Sequence, residues 1–246
     1  MKILVCIKQI PDTNDVRWTK ENNIIRDGVI SIINPYDMYG ILAAKSIKDA
    51  HITFLSMGPM GAERSLREAL SYCGDDAILL SDKRFSGADT LATAKTLFYA
   101  IKNVIKDYDL IITGQFAQDG DTAQTPYSLA NLLNIPNIGY VQSIDSINDE
   151  HIEVTSVKDN GVYKIKGKFP ILISMSKFDK TYTPLVKDYI RAQEKEVKIL
   201  NADDIVANYD EIGIKGSPTY VSKAFRPINN RICKFVSPES FIGELQ

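Results

Sequence analysis

Short apolar segments alternate with amphipathic helical patterns over the first 138 residues, and this alternation constrains the fold more than any other feature. The apolar segments have strand length and cover residues 2–7 (KILVCI), 52–57 (ITFLSM), 77–80 (AILL) and 109–113 (DLIIT). Continuous apolar strands joined by helix-length connections are typical of a parallel sheet that helices cover on both faces. Residues 1–138 are therefore predicted to form a doubly wound α/β domain.

Four helical patterns connect these strands. The first begins at Asn34-Pro35, where asparagine as the N-cap and proline in the first turn together indicate a helix start. The other three have apolar residues at helical spacing and cover residues 62–73, 89–105 and 121–133. These patterns supply the crossovers that parallel strands require.

The pattern changes after residue 138 to alternating strands joined by turns. Strands are predicted at residues 152–157, 162–166 and 171–175, with a turn at Asn160-Gly161. We expect a β-rich appendage, about residues 139–176, on the same sheet or beside it.

Length and composition allow one principal domain with an arm. We assign residues 1–200 to the α/β domain, including a polar loop at about 178–196, because 246 residues do not require a second full domain. Residues 213–246 carry Gly, Pro, Ser and Asn without clear periodicity. A segment of that kind buries little of itself, so residues 201–246 are predicted to form a C-terminal arm on another subunit.

Charge and hydropathy exclude several classes of protein. The formal net charge is −2, from 29 Lys and Arg against 31 Asp and Glu, and the two signs are interspersed. Nucleic acid is therefore an unexpected partner. The apolar opening is broken at Lys8 and lacks a small-residue cleavage site, and no apolar run approaches the roughly 20 residues that span a bilayer. We expect a soluble, cytoplasmic protein with no membrane partner.

Cysteine and histidine are too sparse for a metal or nucleophile site. Cys6, Cys73 and Cys233 are far apart and form no CxxC pair, and the two histidines are His51 and His151. Each cysteine is interpreted as a small buried or partly buried apolar residue. No residue of this chain is predicted to be catalytic, and no metal is expected.

Ligands of an open parallel sheet bind beyond the carboxyl ends of its strands, so the loops there carry the candidate site. These loops cover residues 6–13, 56–61 and 114–125. The third (GQFAQDGDTAQT) is the most informative, because Gly114 and Gly120 allow close backbone approach or positive φ. No GxGxxG or P-loop fingerprint occurs.

The start of the fourth helical pattern has two interpretations. Free amides at a helix start near Asp121, with the hydroxyls of Thr122 and Thr125 alongside, suit a phosphate or diphosphate. Alternatively, Asp121 or Thr122 merely caps the helix. An aspartate beside a phosphate repels it, so Asp121 is expected to turn towards the helix amides or a ribose hydroxyl. Arg64 and Arg67 are predicted to be solvated charges on a helix.

Several segments together resemble the β subunit family of electron-transfer flavoproteins. They are VCIKQIPDT, INPYD, SMGPMGAERSLREAL, SDKRFSGADTLATA, TGQFAQDGDTAQT and GIKGSPT, and they occur in the family's order and spacing over nearly the whole chain. The resemblance implies a subunit that works in complex with an α subunit and a dehydrogenase. A non-redox nucleotide sensor of related architecture is disfavoured, because it has no evident use for IKGSPT and a long arm.

The resemblance also implies a nucleotide site on this chain. Its implied cofactor-binding residues are Cys6, Asn34, Pro35, Tyr36, Asp37, Met57, Gly114, Gln115, Phe116, Ala117, Gln118, Asp119, Gly120, Asp121, Thr122, Ala123, Gln124 and Thr125. Conventional members hold AMP there as a structural ligand, whereas members of the electron-bifurcating group hold a second FAD. Phe116 and Gln118 replace the more usual Gln and Ile.

Two short segments favour the bifurcating group. IPDT after the first strand and GDTAQ in the nucleotide loop are similar to that group. The implied activity is hydride transfer from NADH to FAD, after which one electron goes to ferredoxin or flavodoxin and the other, through the α-subunit FAD, to a dehydrogenase. The chemistry belongs to the cofactor, which agrees with the lack of a predicted nucleophile or base.

The loop that docks the dehydrogenase departs from the family. Its sequence here, TYTPLVKDYIRAQEKEV, is one residue longer, and RAQEKE replaces a strongly basic run. Leu185 resembles the family's anchoring leucine. The partner is an acyl-CoA dehydrogenase or a flavin-dependent 2-hydroxy-acid dehydrogenase, and the sequence does not decide between them.

Overall fold

The computed structural model describes residues 1–12, 17–18, 24–25, 30–222, 235–237 and 240–241. Thr13, which completes the IPDT segment, and Cys233 lie outside the described residues.

Strands and helices alternate through most of the described chain. The strands are β1 (Lys2–Cys6), β2 (Gln9–Pro11), β3 (Arg17–Trp18), β4 (Ile24–Ile25), β5 (Ser31–Ile33), β6 (His51–Met57), β7 (Asp76–Leu80), β8 (Leu110–Gly114), β9 (Asn137–Ile147), β10 (His151–Lys158), β11 (Gly161–Lys168), β12 (Ile171–Met175) and β13 (Val197–Leu200). The α-helices are α1 (Pro35–Lys45), α2 (Glu63–Tyr72), α3 (Thr90–Ala100), α4 (Thr125–Leu133) and α5 (Val186–Glu194).

Nine strands form one large sheet in the order β11-β10-β9-β12-β8-β1-β6-β7-β13. Within it β10 is antiparallel to both of its neighbours, and the other pairs are parallel. The chain proceeds from β1 outward to β6 and β7 and then returns to β8 on the other side of β1. Strand order therefore reverses between β1 and β8, which confirms the doubly wound fold and locates its switch point.

Helices pack on both faces of the sheet, as the continuous apolar strands predict. One cluster joins the sheet to α1, α2 and α5 through residues such as Ile41, Leu66 and Ala192. The other joins the opposite face to α3 and α4 through residues such as Leu97 and Leu129. Full burial of each such leucine or isoleucine contributes roughly 1.5–3 kcal/mol, so the two clusters hold the layers together.

The β-rich appendage continues the main sheet. Strands β10, β11 and β12 cover the three predicted strands, and β9 is an additional long strand that pairs with both β10 and β12. The fold class inferred from the sequence is confirmed. Strands β9, β10 and β11 extend the sheet beyond β12 at one end.

Residues 178–212 form more regular structure than their polar sequence indicated. Helix α5 packs on α2, and β13 pairs in parallel with β7 at the end of the sheet. Ala202, Ile205 and Ile212 are buried in the α3–α4 cluster. Residues 201–212 of the predicted arm therefore pack on their own domain, because these three apolar side chains complete its core.

Arg67 is not the solvated charge predicted for it. Its guanidinium donates to the carbonyl oxygens of Ala192, Gln193 and Lys195 at 3.4, 3.2 and 3.1 Å, and it pairs with Glu63 at 2.7 Å. Because the last carbonyls of a helix lack intrahelical partners, Arg67 stabilises the end of α5 against α2.

Within the described part of the chain, no helix is long and apolar enough to cross a membrane.

Candidate functional site

Asp37 joins β1 and β8, the two strands at the switch point. Its carboxylate accepts the backbone N–H of Lys8, just after β1, at 2.7 Å and that of Gly114, at the end of β8, at 3.0 Å. The side chain is buried, and burial raises the pKa of Asp37 to about 7 although both amides and the Lys8 charge act to lower it. A β-carbon on Gly114 would lie 2.3 Å from Asp37 Oδ1, so the close approach predicted at Gly114 is confirmed.

Asn34 fixes the loop that follows β8. It is the N-cap residue of α1, as predicted, but its side chain makes no capping hydrogen bond. Instead Asn34 Nδ2 donates to the carbonyl oxygen of Phe116 at 2.7 Å, and Asn34 Oδ1 accepts the N–H of Gln118 at 3.1 Å. The start of α1 therefore sets the course of residues 116–118 across the switch point.

Gln115 is buried and its side chain is occupied by contacts within the fold. Its Oε1 accepts the backbone N–H of Tyr140 and the hydroxyl of Ser174, both at 2.7 Å, and its Nε2 donates to the hydroxyl of Tyr127 at 3.0 Å. Gln115 thus ties the loop after β8 to β9, β12 and α4.

The predicted start of the fourth helix at Asp121 is wrong. Helix α4 begins at Thr125, with Gln124 as its N-cap, so neither Asp121 nor Thr122 caps it. Residues 120–122 are exposed, and Asp121 and Ala123 adopt positive φ values of 50° and 54°. Gly120 has neither the positive φ nor the close approach expected of it, since no heavy atom lies within 4 Å of a β-carbon built there.

The first turn of α4 is suited to an anion. Gln124 makes no side-chain bond to the helix amides, and no acidic residue stands in the first turn. By contrast, the carboxylate of Asp89 caps α3 through the amides of Leu91 and Ala92 at 3.0 and 2.9 Å. The start of α3 is thus satisfied internally. At the start of α4, Pro126 has no N–H, but the amides of Thr125 and Tyr127 and the positive end of the helix dipole have no side-chain cap.

Cys6, Met57 and Thr113 lie on the sheet face that α3 and α4 cover. Strand register pairs Val5 with Ile112, so the next residues, Cys6 and Thr113, are neighbours on that face. Thr113 Oγ1 is buried and has no hydrogen-bond partner among the described residues. Burial, and to a lesser extent the charge of Asp37, raises the pKa of Cys6 to about 12, so its thiol stays protonated at neutral pH and is a poor nucleophile.

An ion pair and an aromatic cluster border the loop after β8. Lys8 Nζ lies 2.6 Å from Asp119 Oδ1. The ring of Phe116 packs edge-on against Tyr36 and Tyr140, with centroid separations of 5.2 and 5.9 Å. These contacts hold residues 116–119 close to the start of α1.

Sequence reasoning missed Lys8 and Thr90. Lys8 contributes its amide to Asp37 and its ammonium group to Asp119, and its position in the loop after β1 was the available signal. Thr90 Oγ1 donates to Gln124 Oε1 at 2.9 Å, which links the starts of α3 and α4. Nothing in the local pattern around Thr90 indicates that contact.

The predicted cofactor residues therefore divide into three groups. Asn34, Asp37 and residues 114–119 form one hydrogen-bonded network, in which Pro35 and Tyr36 begin α1. Cys6 and Met57 line the adjoining sheet face, and residues 120–125 connect the network to α4. Leu185 lies outside this network, as the N-cap residue of α5.

Among the described residues, no group of three or more His, Cys, Asp or Glu side chains could hold a metal ion. The reversed strand order, the uncapped start of α4 and the buried hydroxyl of Thr113 define a doubly wound α/β protein with a candidate anion site at its switch point.

Comparison with known proteins agrees with this class. The family described as "Electron transfer flavoprotein domain" matches residues 22–205. The electron transfer flavoprotein subunit beta of Thermoanaerobacterium thermosaccharolyticum is 43% identical over 252 residues, which cover 100% of this chain and 94% of that protein. The chain belongs to the electron transfer flavoprotein family and is similar to its β subunits.

Two further relatives have other names. Subunit CarD of the caffeyl-CoA reductase–Etf complex of Acetobacterium woodii is 40% identical over 234 residues, covering 92% of this chain and 88% of that protein. Protein FixA of Azotobacter vinelandii is 39% identical over 239 residues, covering 92% of this chain and 84% of that protein.

Proposed function

We propose that this chain is the β subunit of an electron-bifurcating electron-transfer flavoprotein and binds FAD at the switch point between β1 and β8. The observation that carries the cofactor assignment is the first turn of α4. It has neither a side-chain cap nor a carboxylate, at the edge where doubly wound folds bind nucleotides.

The first turn of α4 would hold the diphosphate. The amides of Thr125 and Tyr127 and the positive end of the α4 dipole would balance its charge, and the half-buried Thr125 would supply a hydroxyl in the same turn. Asp121 precedes the helix by four residues and is exposed, which relieves the repulsion expected between its carboxylate and a phosphate.

The neighbouring residues orient the nucleotide rather than react. Asn34 holds residues 116–118 in a fixed course, and the unpartnered Thr113 hydroxyl offers a hydrogen bond on the face that Cys6 and Met57 line. The thiol of Cys6 stays protonated, so Cys6 contributes to the shape of the site and not to its chemistry. When bound, FAD would supply hydride uptake from NADH and delivery of the two electrons to separate acceptors.

The choice of FAD over AMP rests on the similarity of IPDT and GDTAQ to the bifurcating group. One electron from this FAD would go to ferredoxin or flavodoxin. The other would go, through the α-subunit FAD, to a dehydrogenase. The relative CarD is named as a subunit of a caffeyl-CoA reductase–Etf complex, which supports an acyl-CoA dehydrogenase as the partner over a 2-hydroxy-acid dehydrogenase.

The partner dehydrogenase docks at Leu185. This side chain is 56% exposed, and Val186, Tyr189 and Ile190 next to it on α5 are also exposed apolar residues. The buried carboxylate of Asp188 accepts the backbone N–H of Leu185 and the hydroxyl of Tyr182, both at 2.9 Å. An apolar residue held out from the surface by fixed hydrogen bonds is suited to anchor a partner.

The cofactor content of the purified αβ heterodimer tests the assignment. Acid extraction followed by chromatography is expected to yield two FAD per heterodimer and no AMP. One FAD with stoichiometric AMP would instead make this chain a conventional β subunit, with AMP as a structural ligand.

A further inference from the structure

The loop between β12 and α5, residues 176–185, ends at the proposed anchor Leu185 and has no regular secondary structure. Within the described part of the chain, residues 178–184 make no backbone–backbone hydrogen bond. Helix and sheet ladders therefore do not determine the course of this loop. Its side chains must do so, since a loop without such contacts samples many conformations. We call residues 178–185 the anchor loop.

Tyr182 is the residue through which the anchor loop contacts three helices. Its hydroxyl donates to Asp188 Oδ2 on α5 at 2.9 Å. Its ring lies under the ammonium group of Lys45, the last residue of α1, with Nζ 3.6 Å from the ring centroid. The ring of Tyr72, the last residue of α2, meets it edge-on with a centroid separation of 6.3 Å. Tyr182 is therefore clamped between α1, α2 and α5.

Lys45 is itself fixed, so its charge is held in place over the ring of Tyr182. Its Nζ donates to the carbonyl oxygen of Tyr72 at 2.7 Å, at the end of α2, where helix carbonyls lack intrahelical partners. The ammonium group thus bridges the end of α2 and the anchor loop. A cation–π contact contributes more where water is partly excluded, and Lys45 and Tyr182 are both half-buried.

Asp188 connects Tyr182 to Leu185. One carboxylate oxygen, Oδ2, accepts both the backbone N–H of Leu185 and the hydroxyl of Tyr182, each at 2.9 Å. The hydrogen bond from Leu185, followed by that from Tyr182, holds the pKa of Asp188 below its ordinary value. The carboxylate is therefore charged at neutral pH, when its hydrogen bonds are strongest. The contacts run from Lys45 through Tyr182 and Asp188 to the backbone of Leu185.

These contacts hold the backbone of the anchor loop but leave its apolar end in solvent. Leu185 is 56% exposed and Val186 is 77% exposed, whereas Pro184 just before them is buried. Fixed backbone beside large exposed apolar side chains buries little in the isolated chain. It is suited to a surface that meets a partner in one orientation.

We propose that Tyr182 is a positioning residue for partner docking: clamped between Lys45 and Asp188, it fixes the anchor loop so that Leu185 is presented to the dehydrogenase in one preformed orientation. This inference rests on the docking at Leu185 under the proposed function and adds the side chains that hold the anchor. A preformed anchor reduces the conformational entropy lost on binding, so its effect lies in affinity for the partner and not in the chemistry of the cofactor.

Tyr182→Phe isolates the hydroxyl, because it keeps the ring beside Lys45 and Tyr72 and removes the hydrogen bond to Asp188. Stopped-flow oxidation of the photoreduced αβ heterodimer by excess purified acyl-CoA dehydrogenase, at varied dehydrogenase concentration, gives the half-saturating concentration and the limiting rate. Tyr182→Phe should raise the half-saturating concentration about 2- to 10-fold, as expected for one lost hydrogen bond. The limiting rate and the FAD content should not change.

A double-substitution cycle separates positioning from a purely structural role. If Tyr182 acts through Leu185, Tyr182→Phe should have no further effect in a Leu185→Ala background. Lys45→Met, which keeps the apolar stem and removes the charge over the ring, should raise the half-saturating concentration as Tyr182→Phe does. The matched control is Tyr163→Phe on β11, where Lys158 Nζ lies 5.9 Å from the ring centroid, and it should behave as the wild type.

The outcomes are distinct. An unchanged half-saturating concentration in Tyr182→Phe, with an increase in Leu185→Ala, would overturn the positioning role and leave docking at Leu185 intact. Equal effects of Tyr182→Phe in the wild-type and Leu185→Ala backgrounds would also overturn it, since Tyr182 would then act independently of Leu185. If Leu185→Ala itself changes nothing, docking at Leu185 fails and this inference fails with it.

Discussion

Replacing Asp37 with asparagine should change the pH dependence of stability. Burial raises the pKa of this carboxyl from an ordinary value of 3.8 to about 7. Between these values the native chain binds a proton that the unfolded chain has released, so the unfolding free energy falls as pH rises and levels off above about pH 7. Between pH 3.8 and about pH 7 the unfolding free energy should fall by about 4 kcal/mol.

The substitution removes the free-energy cost of a buried charge above pH 7 and introduces a second cost, the loss of a hydrogen-bond acceptor. Asparagine offers one acceptor, so one of the amides of Lys8 and Gly114 loses its partner, at a cost of about 1–3 kcal/mol. By pH 5 the wild type has already lost more than about a third of that 4 kcal/mol, so Asp37→Asn should be close to the wild type in stability at pH 5 and about 1–3 kcal/mol more stable at pH 8.

Urea unfolding at pH 5 and pH 8 measures both effects. Asp109→Asn is the matched control, because Asp109 also accepts a strand amide, from Lys2 at 2.7 Å, at a less buried position. If the difference in unfolding free energy between Asp37→Asn and the wild type is the same at both pH values, burial does not control this carboxyl and the reasoning is refuted.

Three further substitutions test separate parts of the account. Gly114→Ala should lower the unfolding free energy by about 1–3 kcal/mol in urea, since its β-carbon would lie 2.3 Å from Asp37 Oδ1; an unchanged midpoint would contradict the packing. Gly120→Val should leave unfolding within about 0.5 kcal/mol but reduce FAD retained on purification, and full retention would remove residue 120 from the site. Leu185→Ala should slow electron transfer to the dehydrogenase about 5- to 30-fold at limiting partner concentration, whereas the control Val162→Ala, at a somewhat more exposed apolar residue, should not; equal rates for both would exclude Leu185 as the anchor.

The central strands of the sheet were predictable because their residues are apolar on both faces. Residues 2–7 and 109–113 lie in the middle of the sheet between two helical layers, so their continuous hydrophobicity directly reflects their environment. Strand β13 was missed because it lies at the end of the sheet, where Lys198 and Ile199 are exposed and only its first and last residues are buried.

The site was predictable as a set of loops but not as a set of contacts. Asp121-Thr122 resembles a helix cap, yet Pro126, which suits the first turn of a helix, marks the start of α4 that the structure has. The contacts of Gln115 with Tyr140 and Ser174 join residues 25 and 59 positions apart, and local patterns carry no information about such pairs.

The central claim is tested most directly by coupled turnover of the complete complex. With NADH as donor, ferredoxin reduction should require the dehydrogenase's substrate, and substrate reduction should be efficient only while ferredoxin or flavodoxin is present to accept the other electron. Omitting either acceptor should stop both reactions. Substrate reduction that runs equally fast without a low-potential acceptor, with ferredoxin never reduced, would contradict bifurcation even if two FAD molecules are bound.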